Sequence, residues 1–135
     1  MTIRVRRRVQ MKLASVRLVT DDLAALTAFY RVLLSTEPVT PFGGEDYVEM
    51  RADGAVLALV TTSGVNRYNN GAASARANRS AILEFQVEDL DAVRARLAGH
   101  VTDWVQEPTS QPWGNRSMLL RDPDGNLLNI YSSAN

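Results

Sequence analysis

Two long stretches of the chain repeat each other. The stretch that starts at Ser15 (SVRLVTDDLAALTAFY) aligns with the one that starts at Ile82 (ILEFQVEDLDAVRARL) at an offset of 67 residues (82 − 15). Later segments align at an offset of 71, so the second copy contains a four-residue insertion (71 − 67). A duplicated unit predicts two similar modules related by a pseudo-twofold axis, with a groove between them that suits a ligand. The matching positions pair Asp22 with Asp89, Pro41 with Pro112 and Asp53-Gly54 with Asp124-Gly125.

Composition excludes several classes of protein. The chain has 135 residues, a net charge of zero and no cysteine. This length suits one domain with its own core. Balanced charge gives no reason to expect nucleic acid or a membrane as a partner, and the absence of cysteine excludes disulfides, a thiolate nucleophile and sulfur-ligated metal. No apolar run approaches the roughly 20 residues of a membrane span, and no signal-peptide core follows the basic N-terminus. We therefore expect a cytoplasmic protein.

Hydrophobic periodicity predicts the order βαβββ in each copy. In the first copy we expect a strand over 15–20, a helix capped by Asp21 or Asp22 and ending near Leu34, and a hairpin of 47–51 with 55–61. The second copy repeats this order. Its predicted elements are a strand over 81–87, a helix capped near Glu88 or Asp89 and ending at Leu97, a short strand around Trp104, and a hairpin of 116–121 with 126–132.

The repeat also sets the predicted domain organisation. A single domain covers 13–132, with module one at 13–62, a linker at 63–80 and module two at 81–132. The linker is polar and has no clear periodicity, so we expect it to be mobile, or to form a flap over the site. Residues 1–12 form a basic extension, read as a frayed terminus, an edge strand or an arm that docks an acidic partner. Its arginines are Arg4, Arg6, Arg7 and Arg8.

Three motifs within this doubled unit carry a resemblance to a known family. They are the Asp-Asp-Leu at the first helix start, Phe29-Tyr30 inside that helix, and DPDGN at 122–126 before the last strand. Together they resemble the vicinal oxygen chelate superfamily of glyoxalases, bleomycin resistance proteins and extradiol dioxygenases. The resemblance covers nearly the whole chain. It implies an α+β fold of two tandem βαβββ modules with sheets curled around a shared cavity, commonly in a homodimer.

The resemblance also implies where a metal would be held in metal-using members. Four side chains from the sheets, typically His and Glu, bind a divalent ion there. The aligned positions in this chain are Ser15, Ala58, Ile82 and Asn129, none of which is a good ligand. The only histidine, His100, follows the second helix and is expected to be exposed. We therefore expect no metal and no cofactor, and the metal-free resistance-protein branch is the better match.

Strand alternation and loop position select the candidate ligand-binding residues. Arg17 and Glu84 occupy equivalent positions, so they are expected either to form a salt bridge between the modules or to present polar groups to a ligand. Trp113 lies in a predicted loop, where we expect it to contact the ligand, to close the end of the barrel or to lie in a dimer interface. Trp104 is expected in the core. The full candidate set is Trp113, Tyr47, Arg17, Glu49, Glu84, Asn129, Phe42, Trp104, Met118 and Tyr131.

Three functions remain open from the sequence. The leading hypothesis is a metal-free, homodimeric protein that sequesters a hydrophobic or aromatic natural product and so confers resistance or self-protection. The second is a cofactor-independent isomerase, cyclase or hydrolase that uses Glu49 or Glu84 as its base, although no second catalytic partner is evident. The third is a glyoxalase-like or dioxygenase-like enzyme with an unusual set of metal ligands.

Overall fold

The computed structural model describes residues 10–133 and contains two sheets, one from each copy. The predicted basic extension, with Arg4, Arg6, Arg7 and Arg8, falls almost wholly outside the described residues. Module one has three strands in the order β1-β3-β2, and module two has four in the order β4-β7-β6-β5. Module one comprises β1 Val16–Thr20, α1 Leu23–Leu34, β2 Tyr47–Ala52 and β3 Ala55–Thr61, followed by α2 Thr62–Tyr68. Module two comprises β4 Ile82–Gln86, α3 Leu90–Leu97, β5 Asp103–Ser110, β6 Arg116–Arg121 and β7 Leu127–Ser132.

Both main helices begin at the predicted capping residues. The Asp22 carboxylate accepts from the Ala25 amide at 3.0 Å, and the Asp89 carboxylate accepts from the Ala92 amide at 3.1 Å. Each bond satisfies one of the amides that a helix start leaves unpaired. Together with the sheet order, these caps confirm the α+β fold with two βαβββ-type modules. Module one has no full strand at the position that β5 occupies in module two, and only a single bridge between Val39 and Glu49 stands there.

The two modules share one core because their helices pack against each other and against one face of each sheet. Leu26 and Tyr30 of α1 and Leu97 of α3 are completely buried in it. Arg96 of α3 donates hydrogen bonds to the carbonyls of Val32 and Leu33, at 3.1 and 2.8 Å, near the C-terminus of α1. Each sheet therefore has a side that faces α1 and α3 and a second side turned away from these two helices, here called the open face.

A buried hydrogen-bond network joins α1 to the β6–β7 turn. The Tyr30 hydroxyl donates to Asp122 Oδ2 at 2.7 Å, and Asp122 also accepts from the amides of Asp124 and Asn126 and from the Asn126 side chain. Burial first, and then the adjacent Asp122 carboxylate, raise the pKa of Tyr30 well above its ordinary value. The Phe-Tyr and DPDGN motifs thus stabilise the packing of the two modules.

The structure corrects the predicted linker. Residues 62–68 form α2, whose N-cap is Thr61, with its hydroxyl accepting from the Gly64 amide at 3.0 Å. Gly64 and Val65 are buried. A Cβ at Gly64 would lie 3.1 Å from a Val60 methyl, so the helix packs tightly on the open face of β3. The sequence does not predict this helix because α2 has no apolar periodicity. Its cap and its packing on β3 stabilise it instead. No helix within residues 10–133 is long and apolar enough to cross a membrane.

Met118 was wrongly predicted to face a ligand, and the hairpin register shows why. The constant offset of 71 equates Met118 with Tyr47, on the open face. In the structure Met50 pairs with Leu57 and Leu120 with Leu128, so the β2-to-β6 offset is 70 (120 − 50) while the β3-to-β7 offset is 71 (128 − 57). A shift of one residue moves every side chain to the other face. Met118 is therefore completely buried in the core.

Candidate small-molecule site

A pocket of about 630 Å³ lies on module one, beside α2 and the loop before β2. This volume falls in the range of sites that bind drug-sized ligands. Three of the predicted residues, Arg17, Phe42 and Tyr47, line it, and none of the candidate residues of module two does. This pocket is thus built by one module, whereas the sequence predicts a site in the groove between the copies. Its remaining lining residues are Glu45, Asp46, Val60, Gly64, Arg67, Tyr68 and Asn69.

Asp46 holds the wall of the pocket that α2 forms. Its carboxylate accepts from the Thr61 hydroxyl at 2.7 Å and from Arg67 at 3.0 Å, while its backbone carbonyl accepts from the Thr61 amide at 2.9 Å. The sequence interpretation missed Asp46, Arg67 and Tyr68 because they lie outside the open-face pattern of the strands. Thr61, a good N-cap residue directly after β3, was the available signal for this wall.

Tyr47 and Glu49 form a hydrogen-bonded pair on β2. The Tyr47 hydroxyl donates to Glu49 Oε2 at 2.8 Å, and Arg51 donates to Glu49 Oε1 at 2.8 Å. The Arg51 hydrogen bond and then the Tyr47 hydroxyl lower the pKa of Glu49. Burial and then the Glu49 contact raise the pKa of Tyr47. Near pH 7 the carboxylate stays ionised and the phenol stays protonated, which suits fixed hydrogen bonding better than proton transfer.

Arg17 does not form the predicted salt bridge with Glu84. Its guanidinium donates to the Asn69 side chain at 3.1 Å, and Glu84 instead accepts from the Asn129 side chain at 3.2 Å. The modules meet through the helix-facing sides of their sheets. Arg17 and Glu84 therefore lie on two separate open faces, and the predicted pair is wrong for this chain.

Exposed aromatic side chains line the pocket. Phe42 is 80% exposed and Tyr68 is 74% exposed. The Phe42 ring centroid lies 5.7 Å from that of Tyr47, in a tilted arrangement. The Arg67 guanidinium lies 5.6 Å from the Tyr68 ring. Exposed aromatic rings at a concave site supply apolar area and stacking surfaces for a flat ligand.

The candidate residues of module two are placed elsewhere. Trp104 packs partly buried against the core, as predicted, with the Arg94 guanidinium 3.7 Å above its ring. Trp113 is 74% exposed in its loop. Glu84 and Asn129 form the hydrogen bond already described, and Tyr131 pairs with Gln86 and Ser117 on the open face of the second sheet. His100 is exposed after α3, as expected.

The residues at the four metal positions do not fit a divalent ion. Ala58 has no ligand atom and is completely buried, and Ile82 is apolar and 52% exposed. Ser15 precedes β1 and Asn129 lies in β7, so the two weak donors belong to different modules. Across residues 10–133, no group of three or more His, Cys, Asp or Glu side chains is placed to hold a metal. The chemistry of the donor set therefore disagrees with the metal-using pattern.

Comparison with known proteins identifies the family. The profile of the Glyoxalase/Bleomycin resistance protein/Dioxygenase superfamily matches residues 12–130. The chain belongs to this superfamily. No curated protein sequence matches the chain. The superfamily includes enzymes and resistance proteins, so membership does not select between catalysis and binding.

Solved structures share the fold of this superfamily member. A glyoxalase-related enzyme from Fulvimarina pelagi is 21% identical, with a TM-score of 0.77 over 92% of this chain and 89% of that one. A family enzyme from Burkholderia phytofirmans PsJN is 14% identical, with a TM-score of 0.78 over 91% and 99%. A lactoylglutathione lyase from Agrobacterium tumefaciens is 24% identical, with a TM-score of 0.67 over 93% and 96%. At these identities the likeness concerns the fold alone.

Proposed function

We propose that this protein is a metal-free binder that sequesters a hydrophobic or aromatic natural product, such as an antibiotic, and so serves resistance or self-protection. The observation that carries the proposal is the pocket on module one, where exposed Phe42 and Tyr68 accompany Tyr47. The poor donors at the family's metal positions point the same way. A concave, partly aromatic pocket can bind a flat molecule without any reacting group.

Catalysis by a groove carboxylate has less support. Glu49 is already engaged by Tyr47 and Arg51, and its pKa is lowered, which weakens it as a base. Glu84 lies in the other module, away from the pocket, and contacts Asn129. An enzyme would show turnover that survives EDTA and is lost on replacing Glu49 or Glu84 with glutamine.

A ligand screen by thermal shift and calorimetry tests the proposal. Purified protein, treated with EDTA, is titrated with flat polycyclic antibiotics, and each binder is followed by liquid chromatography for chemical change. We expect saturable binding of one ligand per chain with no conversion, and stabilisation by about 2.7 kcal/mol when free ligand reaches 100 times Kd. Calorimetry is preferable to tryptophan quenching because neither Trp104 nor Trp113 lines the pocket. Conversion of the ligand, or binding that requires added metal, would contradict the proposal.

We also propose that the protein is a homodimer. Ile82 on β4 is 52% exposed and Trp113 is 74% exposed, and both are large apolar side chains that association would cover. Light scattering during size-exclusion chromatography distinguishes a 14.9 kDa monomer from a dimer. A single monomer peak at high micromolar concentration would exclude this part of the proposal.

A further inference from the structure

Arg17 is the one charged residue of the pocket that lies on a strand and has no ion-pair partner among the described residues, and its side chain is exposed to solvent. It lies on β1 and lines the main pocket together with two neighbouring cavities of about 410 and 290 Å³. Its side-chain hydrogen bond goes to Asn69, a neutral amide, and it forms no ion pair with any other residue between 10 and 133. The amide orients the guanidinium without neutralising it.

The sheet register separates Arg17 from the carboxylate of Glu49 on β2. Arg17 pairs with Ala58, and Ala58 pairs with Glu49 on the next strand. Two strand spacings, about 9.6 Å in all, therefore separate Arg17 from Glu49. The methyl group of Ala58, between them, has no polar atom that could bridge the two side chains, and Glu49 forms an ion pair with Arg51.

The other charged residues of the pocket differ from Arg17 in their pairing or their position. Arg67 and Asp46 neutralise each other at 3.0 Å. Glu45 also lines the pocket and forms no ion pair within the described part of the chain; it is exposed, as Arg17 is, but it lies in the loop before β2 and not on a strand. Arg17 also acts on the Tyr47 hydroxyl, since its charge opposes the rise in the Tyr47 pKa. The positive charge and the aromatic surface thus belong to one site.

From this arrangement we infer that the ligand is an aromatic acid, whose carboxylate pairs with Arg17 while its ring packs on the aromatic side chains of the pocket. The inference rests on the proposed binding function and names its ligand class. Arginine matches a carboxylate well because its planar fork donates two parallel hydrogen bonds. The neutral Asn69 contact is easily exchanged for a charged one, since a hydrogen bond to a charged group is the stronger.

A matched pair of probes tests the inference. Calorimetry compares 2-naphthoate with 2-naphthamide, which have the same ring and nearly the same shape but differ in charge. We expect the acid to bind at least about tenfold more tightly than the amide, as expected of a charge-assisted hydrogen bond. The preference should weaken at high salt. Arg17→Gln should remove it, and Arg17→Lys should retain part of it.

Two further variants control for net charge. Arg116→Gln removes an arginine of module two that pairs with Asp91, and should leave the preference for the acid unchanged. Glu45→Gln removes a negative charge from the same pocket and should strengthen acid binding. A melting curve for each variant establishes that it is folded, and the salt series on the unaltered protein stands without any variant.

The outcomes separate this inference from the proposed function. If acid and amide bind equally and Arg17→Gln changes neither, the anionic ligand class is wrong, while binding of aromatic compounds stands. If neither probe binds up to its solubility limit, the aromatic pocket and the ligand class both fail. If the acid is preferred but Arg17→Gln and Arg116→Gln reduce the preference equally, Arg17 is not its recognition group.

Discussion

Replacement of Tyr30 by phenylalanine tests whether the buried network at the β6–β7 turn holds the modules together. The change removes only the hydroxyl, which donates to Asp122 at 2.7 Å, and keeps the ring in the core. A hydrogen bond to a charged group contributes about 1.5–3 kcal/mol. Asp122 Oδ2 would keep the Asn126 side-chain donor at 2.8 Å, so we expect a loss near the lower half of that range, about 2 kcal/mol.

Chemical and thermal unfolding both report this loss. An unfolding entropy of about 2.1 cal/mol/K per residue gives roughly 0.28 kcal/mol/K for the chain, so about 2 kcal/mol lowers Tm by about 7 °C. Tyr131→Phe is the matched control, because its hydroxyl has no hydrogen-bond partner within the described residues and its ring is only half-buried. A loss below about 0.5 kcal/mol for Tyr30→Phe, or equal losses in both variants, would refute the structural role of the network.

Alkaline pH supplies a second test of the same bond. The pKa of Tyr30 is raised in the folded state, so the folded protein holds this proton more tightly than the unfolded chain does. Its contribution to stability is complete below the ordinary tyrosine pKa near 10, and is lost as pH rises toward the folded-state value. The stability gap between the unaltered protein and Tyr30→Phe should therefore shrink above about pH 10. A gap that stays constant in urea titrations would contradict the raised pKa.

Three further predictions concern the register, the helix over the pocket and the tryptophan stack. Met118→Ala should cost about 2–5 kcal/mol in urea unfolding, whereas Leu119→Ala on the open face should cost less than about 1.5 kcal/mol, and similar costs would contradict the register. Thr61→Val removes the cap of α2 and a bond to the Asp46 carboxylate, so it should lower stability by about 1 kcal/mol and weaken probe binding several-fold; intact binding would show that α2 does not shape the site. Arg94→Leu should shift Trp104 fluorescence to longer wavelength by exposing the ring, and an unchanged spectrum would argue against the stack.

Local chemistry explains which parts of this fold the sequence could predict. Asp22 and Asp89 cap helices through bonds to amides three residues away, so their effect is contained within a few residues. The Asp53-Gly54 turn and the alternating strands around it are similarly local. The α+β order of elements followed from such signals. The packing of the two modules did not, because it depends on contacts between residues far apart in sequence.

The pocket shows the limit of local signals. In α2, Thr62, Ser63 and Gly64 are poor helix formers, so no propensity argument predicts a helix there. The helix forms because Thr61 caps it and Asp46, 15 residues earlier, fixes both Thr61 and the last turn through Arg67. Phe42 and Tyr47 were recognised from the sequence. Their companion Tyr68 was not, since only the folded helix brings it to them.

The lengths of the β2–β3 and β6–β7 turns help to explain why the duplicated chain builds this pocket only once. In module one, four residues separate Arg51 from its partner Val56, whereas in module two five residues separate Arg121 from its partner Leu127. The resulting offset of 70 places Ser117 and Leu119 where module one has Tyr47 and Glu49. Module two therefore has neither the phenol nor its carboxylate partner, and Glu84 replaces the positive charge of Arg17. Duplication kept the scaffold, while one residue in a turn and one reversed charge gave the second copy a different open face.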